Sequence, residues 1–523
     1  MTSGPDRFDF DGLFVFEMAN NHQGSAAHGI RIVDAIADVA SEAGVRAAVK
    51  LQFRELDSFI HPAHRSGSGN KHIRRFLETR LGIDEFAAIV GAIRRRGLIA
   101  IATPFDEPSV ETAVALGIDV LKIASCSAHD WPLLEAVAAT GKPVICSTGG
   151  LSVANVDKTV SFLQHRGVQL ALMHCVSLYP TPPDRQCLNH IEVLRERYPD
   201  IPVGFSTHER PDDDTTIRVA YAKGACLFEK HVGIPADGAA LNSYSAAPEQ
   251  VRHWLHAYRD AVALCGGAGR LVTGPEESEL RALKRGVFAK RPVRRGATLI
   301  REDVFFAMPA GDGQLDTSLW HEGLVADADY EAAAPLRASI RPVAPTPREI
   351  IYNTIHAVKG LLNQARIPVG YDVTSVELSH HHGLAEFGRV GCTIIECFNR
   401  EYAKKVIVQL PGQRNPLHYH KRKDETFHVL HGVLDVDIEG NQRTLHPGDS
   451  LWVPRGIVHG FETATGAIFE EISTHAERED SFYNDPIIAA MPLESRKTRL
   501  HNWGRHQFHD WDGEEDTGAV RQA

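Results

Sequence analysis

The 523-residue chain is poor in the features that mark secreted, membrane-embedded or nucleic-acid-binding proteins. Its eight cysteines include no Cys-x-x-Cys pair. They sit mostly in apolar, strand-like contexts, such as Cys146 in PVICST and Cys175 in ALMHC, so reduced buried thiols are expected. No apolar run reaches the length that spans a bilayer. The opening MTSGPDRFDFDG has no basic stretch ahead of an apolar core, so neither a secretory leader nor a membrane partner is expected, and the expected location is cytoplasmic. A net charge of −11 without any long basic run speaks against nucleic acid. An anionic ligand would therefore depend on local lysines and not on the field of the whole chain. No internal repeat is visible.

The remaining composition is that of an ordinary globular protein, and the length calls for two or three domains. Up to about residue 235, short apolar runs alternate with amphipathic ones. LFVFE, AAVKLQ, LIAIAT, VLKIAS, PVICST, LALMHC, PVGFST and CLFEKH read as strands. AAHGIRIVDAIADVASEAG and DEFAAIVGAIRRRG read as helices. Eight strands alternating with helices fit an α/β fold, either a (β/α)8 TIM barrel or a doubly wound open sheet. The polar residues favour the barrel. Glu17, Lys50, Gln52, Thr103, Lys122, Ser125, Ser147, Thr148, His174, His208, Glu229 and His231 all fall at the C-terminal ends of these strands, the face where barrel active sites form.

The helical stretch EQVRHWLHAYRDAVALCGG closes this region, giving a first domain over 1–270. Residues 271–345 are richer in Gly and Arg and read as a small β-rich module, ending in the linker RPVAPTPRE. A helix EIIYNTIHAVKGLLNQ then leads into alternating strands with glycine turns, which indicate a small β-barrel over 346–500. Residues 501–523 form a polar tail, expected to be partly disordered.

Lys50 and Lys122 would bring two cations to one barrel mouth, near the hydroxyls of Thr103, Ser125, Ser147 and Thr148. That set suits a small ligand carrying phosphate and carboxylate. His208 and His231, from neighbouring strands, could share a divalent metal, with Glu17 as a base or water ligand. At this point a resemblance becomes visible. FEMANNHQGS, VKLQF, ATPFD, LKIAS, GKPVICSTGG, HCVSLYPTPP, VGFSTHE and FEKHV occur in the order found in the sialic acid synthases (N-acetylneuraminate synthase-like enzymes). The likeness covers about residues 12–345, with 271–345 similar to the antifreeze-like (SAF) domain that follows the barrel in that family.

The resemblance implies a transferase that condenses phosphoenolpyruvate with an aldose to give a 3-deoxy-2-ulosonic sugar acid and phosphate. It implies that Lys50, Thr103, Lys122, Ser125 and Ser147 hold phosphoenolpyruvate, with Gln52, Tyr179 and Glu229 lining the substrate pocket. His208 and His231 would bind Mn2+ or Mg2+, and Glu17 would serve proton transfer. A homodimer is implied as well. Five residues depart from the family pattern: Thr207 before the first histidine, Leu241 and Asn242 in place of an acidic loop, Ser177 for an asparagine, and Met308 for an arginine that reads the acylamino group. A thioether cannot replace a guanidinium's hydrogen bonds, so the expected acceptor is not N-acetylmannosamine.

The stretch HYHKRKDETFHVLHG, residues 418–432, carries a second constellation. Residues at i and i+2 of a strand share a face, so His418 and His420 face one interior, where Glu425 and His459 can join them. Three imidazoles and a carboxylate suit a divalent ion of the Mn, Zn, Fe or Ni class. The spacing through Gly432, Gly448, Pro454, Gly456 and His459 is that of the cupin superfamily, with Thr463 replacing the final asparagine. VELSHHHGL, NREYAKKVIV and FEEISTHAERED resemble sugar-isomerase-type cupins similar to D-lyxose isomerase. If that module isomerises a sugar, Lys423 and Glu471 are the expected bases; otherwise it only binds one. A metal-dependent isomerase with a degenerate barrel is the alternative reading, and a sugar sensor that binds without catalysis is a third.

Overall fold

The computed structural model describes residues 7–65, 69–235, 240–267, 272–340, 345–370, 373, 375–477, 479–501, 503 and 521–522. Its contacts divide the chain into two compact units, 1–271 and 272–523. Most of the polar tail lies outside the described residues.

In the first unit, eight parallel strands close on themselves: β1 (Leu13–Glu17), β2 (Arg46–Phe53), β3 (Ile99–Pro104), β4 (Val120–Ile123), β5 (Val144–Ser147), β6 (Leu170–His174), β7 (Val203–Thr207) and β8 (Phe228–His231). Strand β1 pairs with both β2 and β8, which decides for the barrel over the open sheet. Side chains alternate along each strand. One set packs outward against the helices, forming a core with Phe14, Phe16, Val49, Leu121 and Phe205. The other fills the interior, where Val15, Ala48, Ile101, Val120, Ile145, Ala171 and Leu227 make an apolar floor. This interior is tight. A Cβ on Gly204 would overlap the carbonyl oxygen of Leu227, so glycine is required there for volume.

Two residues further along, the inward set turns polar on six of these strands. Glu17 follows Val15, Lys50 follows Ala48, Thr103 follows Ile101, Lys122 follows Val120, Ser147 follows Ile145 and Glu229 follows Leu227. Strand parity thus stacks a charged layer directly on the apolar floor, at the C-terminal end of the barrel.

The second unit starts with a helix, Gly274–Leu283, where only β-rich structure was expected. Its Thr273 N-cap, Pro275 in the first turn and following glutamates are ordinary helix-start signals. Next come the short antiparallel strands β9 (Gly286–Ala289) and β10 (Val304–Ala307). A long helix, Pro347–Gln364, begins with a Thr346/Glu349 capping box.

Two sheets follow it. Their strands are β11 (Ser375–Ser379), β12 (Cys392–Asn399), β13 (Tyr402–Gln409), β14 (Arg414–Tyr419), β15 (Glu425–Gly432), β16 (Leu434–Ile438), β17 (Asn441–Leu445), β18 (Ser450–Val453), β19 (His459–Glu462), β20 (Ala467–Thr474), β21 (Phe482–Tyr483), β22 (Lys497–His501) and β23 (Arg521–Gln522). The larger sheet runs β18-β15-β20-β13-β12-β11-β22-β23 and the smaller β17-β16-β19-β14-β21. Phe427, Val429, Leu434, Val436, Phe461 and Phe469 form one core that draws on both sheets. Gly432, at φ +77°, makes the β15 to β16 turn where a Cβ would meet the Gly466 carbonyl.

None of the eight cysteines is in a disulfide, but burial is not general. Cys146, Cys175 and Cys392 are buried and Cys226 half-buried, whereas Cys126, Cys187, Cys265 and Cys397 are exposed. Those four lie at or beyond strand and helix ends, or face outward, where apolar neighbours in sequence do not guarantee cover. No described helix is long and apolar enough to cross a membrane.

Candidate active site and metal centre

At the barrel mouth the inward charges are tied to one another. Lys50 Nζ lies 2.6 Å from Glu17 Oε2 and 2.9 Å from Glu229 Oε1, and Lys122 Nζ lies 2.7 Å from Glu229 Oε2. Ser206 Oγ donates to Glu229 Oε1 at 3.0 Å. Glu229 is therefore the hub that holds both ammoniums side by side, and every one of these side chains is buried. Burial disfavours charge on Lys50, Lys122 and Glu229. For Lys50 the carboxylates of Glu17 and Glu229 outweigh it and raise the pKa. Burial prevails at Lys122, where Glu229 is the only carboxylate support and Lys50 repels, so its pKa is lowered. Glu229 resists burial through Lys122 and Lys50 and is held well below the carboxylate range.

Around this hub stand the other expected residues. Gln52 donates to Glu17 at 3.4 Å, and the Glu17 Oε1 atom accepts the Ala19 N–H at 2.6 Å. Ser125 Oγ accepts the Gly149 N–H at 2.9 Å and lies 3.3 Å from Cys175 Sγ. A Cβ on Gly149 would fall within 3 Å of Ser125, Cys175 and Ser177, so the backbone opens a cradle of polar groups there. Thr103 carries a buried hydroxyl without a partner among the described residues, and Ser147 is buried on the inward face of β5.

His208 and His231 face each other with ring centroids 5.4 Å apart. The Nδ1 of His208 lies 2.8 Å from the Val176 carbonyl oxygen. A carbonyl only accepts, so Nδ1 carries the proton and Nε2 presents its lone pair. Burial, reinforced at His208 by His231 and at His231 by Lys50, lowers both pKa values to about 3, leaving neutral imidazoles. Tyr179 stacks 4.2 Å from His208, and Tyr244 sits 5.1 Å from both Tyr179 and His231. The donor set fits a divalent ion as a two-imidazole half-site, completed by water or substrate oxygen.

Not every polar strand end joins the mouth. His174 faces outward, stacked 6.0 Å from Phe205 and bonded to the Gln186 carbonyl. Thr148 donates to the Met173 carbonyl. Thr207 has a buried, unpartnered hydroxyl on the opposite parity to His208. Leu241 packs toward Gly233 and Asn21, while Asn242 caps the turn by accepting the Tyr244 N–H. Met308 is exposed. Sequence reading missed Ser206, which lies on the His208 face of β7, and Tyr244, which lies in a loop with no strand register to mark it.

In the second unit, β14 delivers His418, His420 follows its last residue Tyr419, and β19 delivers His459, which pairs with His418 in register. His420 thus stands just beyond the strand end, yet it joins the group. The ligating nitrogens of these three buried histidines lie within 4.8 Å of one another. Each Nδ1 bonds a main-chain carbonyl: His418 to Pro416 at 2.9 Å, His459 to Ile457 at 3.0 Å, and His420 to Asp480. All three tautomers are thereby fixed with Nε2 bare, the form a metal takes. His420 Nε2, His459 Nε2 and Glu425 Oε2 have no hydrogen-bond partner among the described residues. A buried, tautomer-fixed triad with orphaned donors fits a divalent ion.

Glu425 closes the group, 3.1 Å from His459 Nε2 and 3.4 Å from His420 Nε2. Lys423 bonds both Glu425 and, at 2.8 Å, Glu471, which also takes Lys405 at 2.9 Å. Burial opposes the Lys423 charge, but Glu425 and Glu471 outweigh it and raise its pKa. Lys423 is accordingly a firmly protonated partner of two carboxylates and not a free base. A cavity of about 120 Å³ adjoins it, lined by Glu377, Glu396, Lys405, Lys423, Lys497 and Arg499. The carboxylate of Asp480 accepts three successive N–H groups, from Lys421, Arg422 and Lys423, at 2.9–3.0 Å. Thr463 stabilises a turn instead of reaching the triad, donating to the Val433 carbonyl.

Residues 36–269 match the NeuB family, and residues 406–472 match the cupin domain. A crystal structure described as spore coat polysaccharide biosynthesis protein E from Chromobacterium violaceum is 45% identical, covering 63% of this chain and 98% of that one, with a TM-score of 0.61. The Bacillus subtilis spore coat polysaccharide biosynthesis protein SpsE is 25% identical, over 57% of this chain and 83% of its own. The N,N'-diacetyllegionaminic acid synthase of Legionella pneumophila is also 25% identical, over 57% and 85%. The chain belongs to the NeuB family of sialic acid synthase relatives and carries a cupin domain in addition.

Proposed function

We propose that the first unit condenses phosphoenolpyruvate with an aldose other than N-acetylmannosamine, giving a 3-deoxy-2-ulosonic acid and phosphate. The observation that carries this reading is the Lys50–Glu229–Lys122 hub, with Glu17 and the His208/His231 pair on the same barrel mouth. In the reaction, C3 of the enol ester bonds to the aldehyde carbon, water adds at C2, and phosphate departs. The two ammoniums face the carboxylate and phosphate, and the hydroxyls of Thr103, Ser125 and Ser147 have room for hydrogen bonds to their oxygens. Glu17 serves proton transfer to the aldehyde oxygen or from water. His208 and His231 hold a divalent ion of the Mn2+ or Mg2+ kind, which supplies Lewis acidity for a carbonyl. Gln52 and Tyr179 line the acceptor side.

Within the second unit, the proposal divides a small SAF module, 271–345, from the cupin, 346–500. The tautomer-fixed triad supports a divalent ion of the Mn, Zn, Fe or Ni class held by His418, His420, His459 and Glu425. The adjoining cavity, walled by alternating acids and bases, suits a polyol, so the cupin binds or isomerises the sugar used by the synthase. The same reading takes the protein as a cytoplasmic homodimer, which light scattering on the purified chain tests. Release of inorganic phosphate from phosphoenolpyruvate, dependent on both a divalent metal and an aldose, tests the synthase reading. Interconversion of ketoses and aldoses without phosphate release would favour the isomerase as the sole activity.

A further inference from the structure

Two guanidiniums at the barrel mouth differ from the buried lysines around them. Lys50, Lys122 and Lys230 each meet a carboxylate, at 2.6, 2.7 and 2.8 Å. Arg54 and Arg75, both half-buried, meet none among the described residues. The guanidinium carbon of Arg54 lies 3.6 Å from the ring centre of Phe105 and 4.0 Å from that of Phe76. This sandwich fixes the plane of the group and leaves its edge for hydrogen bonds. One nitrogen donates to Gln52 Oε1 at 3.0 Å, while the buried Nε has no partner among the described residues. Burial lowers the Arg54 pKa to about 10, with Glu17 pulling the other way, so the group stays charged at neutral pH.

Arg75 follows on the helix Lys71–Glu78, next to Phe76. Among the described residues its one side-chain polar contact is with the Asn20 carbonyl at 3.4 Å. Its charge is felt by His22 and by Tyr244, whose ring is 5.1 Å from His231. Arg54 therefore borders the Gln52–Glu17 side of the pocket, and Arg75 stands at the loop after β1, where Asn21 bonds the Val232 carbonyl just beyond His231. Lys71, Arg74, Arg75 and Arg80 make this segment basic in a chain whose net charge is −11. A half-buried guanidinium without a counter-ion has given up part of its hydration, which an anion replaces more fully than neutral acceptors do. Lys50 and Lys122 are already neutralised by Glu17 and Glu229, so the uncommitted positive charge of the mouth lies here.

We infer that Arg54 and Arg75 form an oxyanion-recognition pair for the acceptor, whose class is an aldose carrying a phosphate ester or a carboxylate. This rests on the synthase reading. Phosphoenolpyruvate shares the same oxyanion chemistry, so the test separates the two sources.

The full-length protein and its R54Q, R75Q and R54K variants are titrated by calorimetry with mannose, mannose 6-phosphate, glucuronate and phosphoenolpyruvate. The charged aldoses should bind the parent at least about tenfold more tightly than mannose. That preference should fall about tenfold in R54Q and in R75Q, persist in part in R54K, and leave the phosphoenolpyruvate affinity within about twofold. Mannose binding as well as its phosphate, no aldose binding at all, or a loss that falls equally on phosphoenolpyruvate overturns the inference. Should R54Q fail to fold by circular dichroism, R75Q and R54K decide. No turnover is needed, so absence of phosphate release would sink the synthase reading without deciding this one.

Discussion

The carboxylate of Glu229 stands 2.7 Å from the ammonium of Lys122, with both side chains buried beneath the mouth of the barrel. Its second oxygen meets Lys50. Replacing Glu229 with Gln keeps the shape and removes the charge that holds two ammoniums together. A buried pair broken on one side costs about 3–5 kcal/mol. The Glu229→Gln variant should therefore unfold at markedly lower denaturant at pH 7. Because the folded carboxyl is held well below its usual range, its stabilisation is present above the unfolded pKa and fades as pH falls below it. The gap between variant and parent should hold down to about pH 4.3 and narrow below it, and a gap independent of pH there would argue against the ion pair as its cause.

Acid should weaken the fold through buried histidines before it reaches the carboxylates. Burial lowers His22, His380 and His381 to about 4, against an unfolded value of about 6.5. Each is neutral in the fold and takes a proton when unfolded, so stability present above pH 6.5 is lost as pH falls toward 4. Each contributes a slope of about 1.4 kcal/mol per pH unit at most. Denaturant titrations at pH 7, 6 and 5 check this; a flat profile over that window would count against buried neutral histidines.

The cupin triad makes a claim about metal that needs no substrate. Purified protein should hold a first-row divalent ion that chelation removes. At a free-metal level about 100-fold over Kd, binding stabilises the fold by about 2.7 kcal/mol. His418→Ala and His459→Ala should abolish that ion and the metal-dependent rise in Tm. His208→Ala should leave both intact, since it touches only the barrel pair. Elemental analysis of the four proteins gives the answer.

Asp480 holds the same centre from a loop. Its carboxylate takes the N–H groups of Lys421, Arg422 and Lys423, and its carbonyl holds His420. Outer partners of this kind affect metal affinity by about 10- to 100-fold. Asp480→Ala should lose affinity in that range and stability of about 1–3 kcal/mol from the orphaned N–H groups. An unchanged metal affinity would show that the loop keeps its shape without the clamp.

The residues best read from sequence were those whose position follows from strand parity. Glu17, Lys50, Lys122, Glu229 and His231 each end an apolar run, and the barrel turns that ending into a shared mouth. The His418/His420 spacing was equally legible. Parity also explains the errors, since His174 ends a strand but points to the helix side. Ser206 was missed because it is one of two adjacent hydroxyls in β7, and only pairing with Glu229 distinguishes it from Thr207. Asp480 and Tyr244 sit in loops, where contact partners are distant in sequence and no periodicity marks a side chain's direction. Lys423 looked like a free base because nothing in the sequence shows two carboxylates closing on it.

Phosphate release in a mixture of full-length protein, phosphoenolpyruvate, Mn2+ and a panel of neutral and charged aldoses bears most directly on the assigned chemistry. The account expects phosphate and a new 3-deoxy-2-ulosonic acid in equal amounts, detected by mass spectrometry, and loss of both in Lys122→Met and His231→Ala. Phosphate formed without the condensed acid, or no consumption of phosphoenolpyruvate with any aldose in the panel, would contradict it.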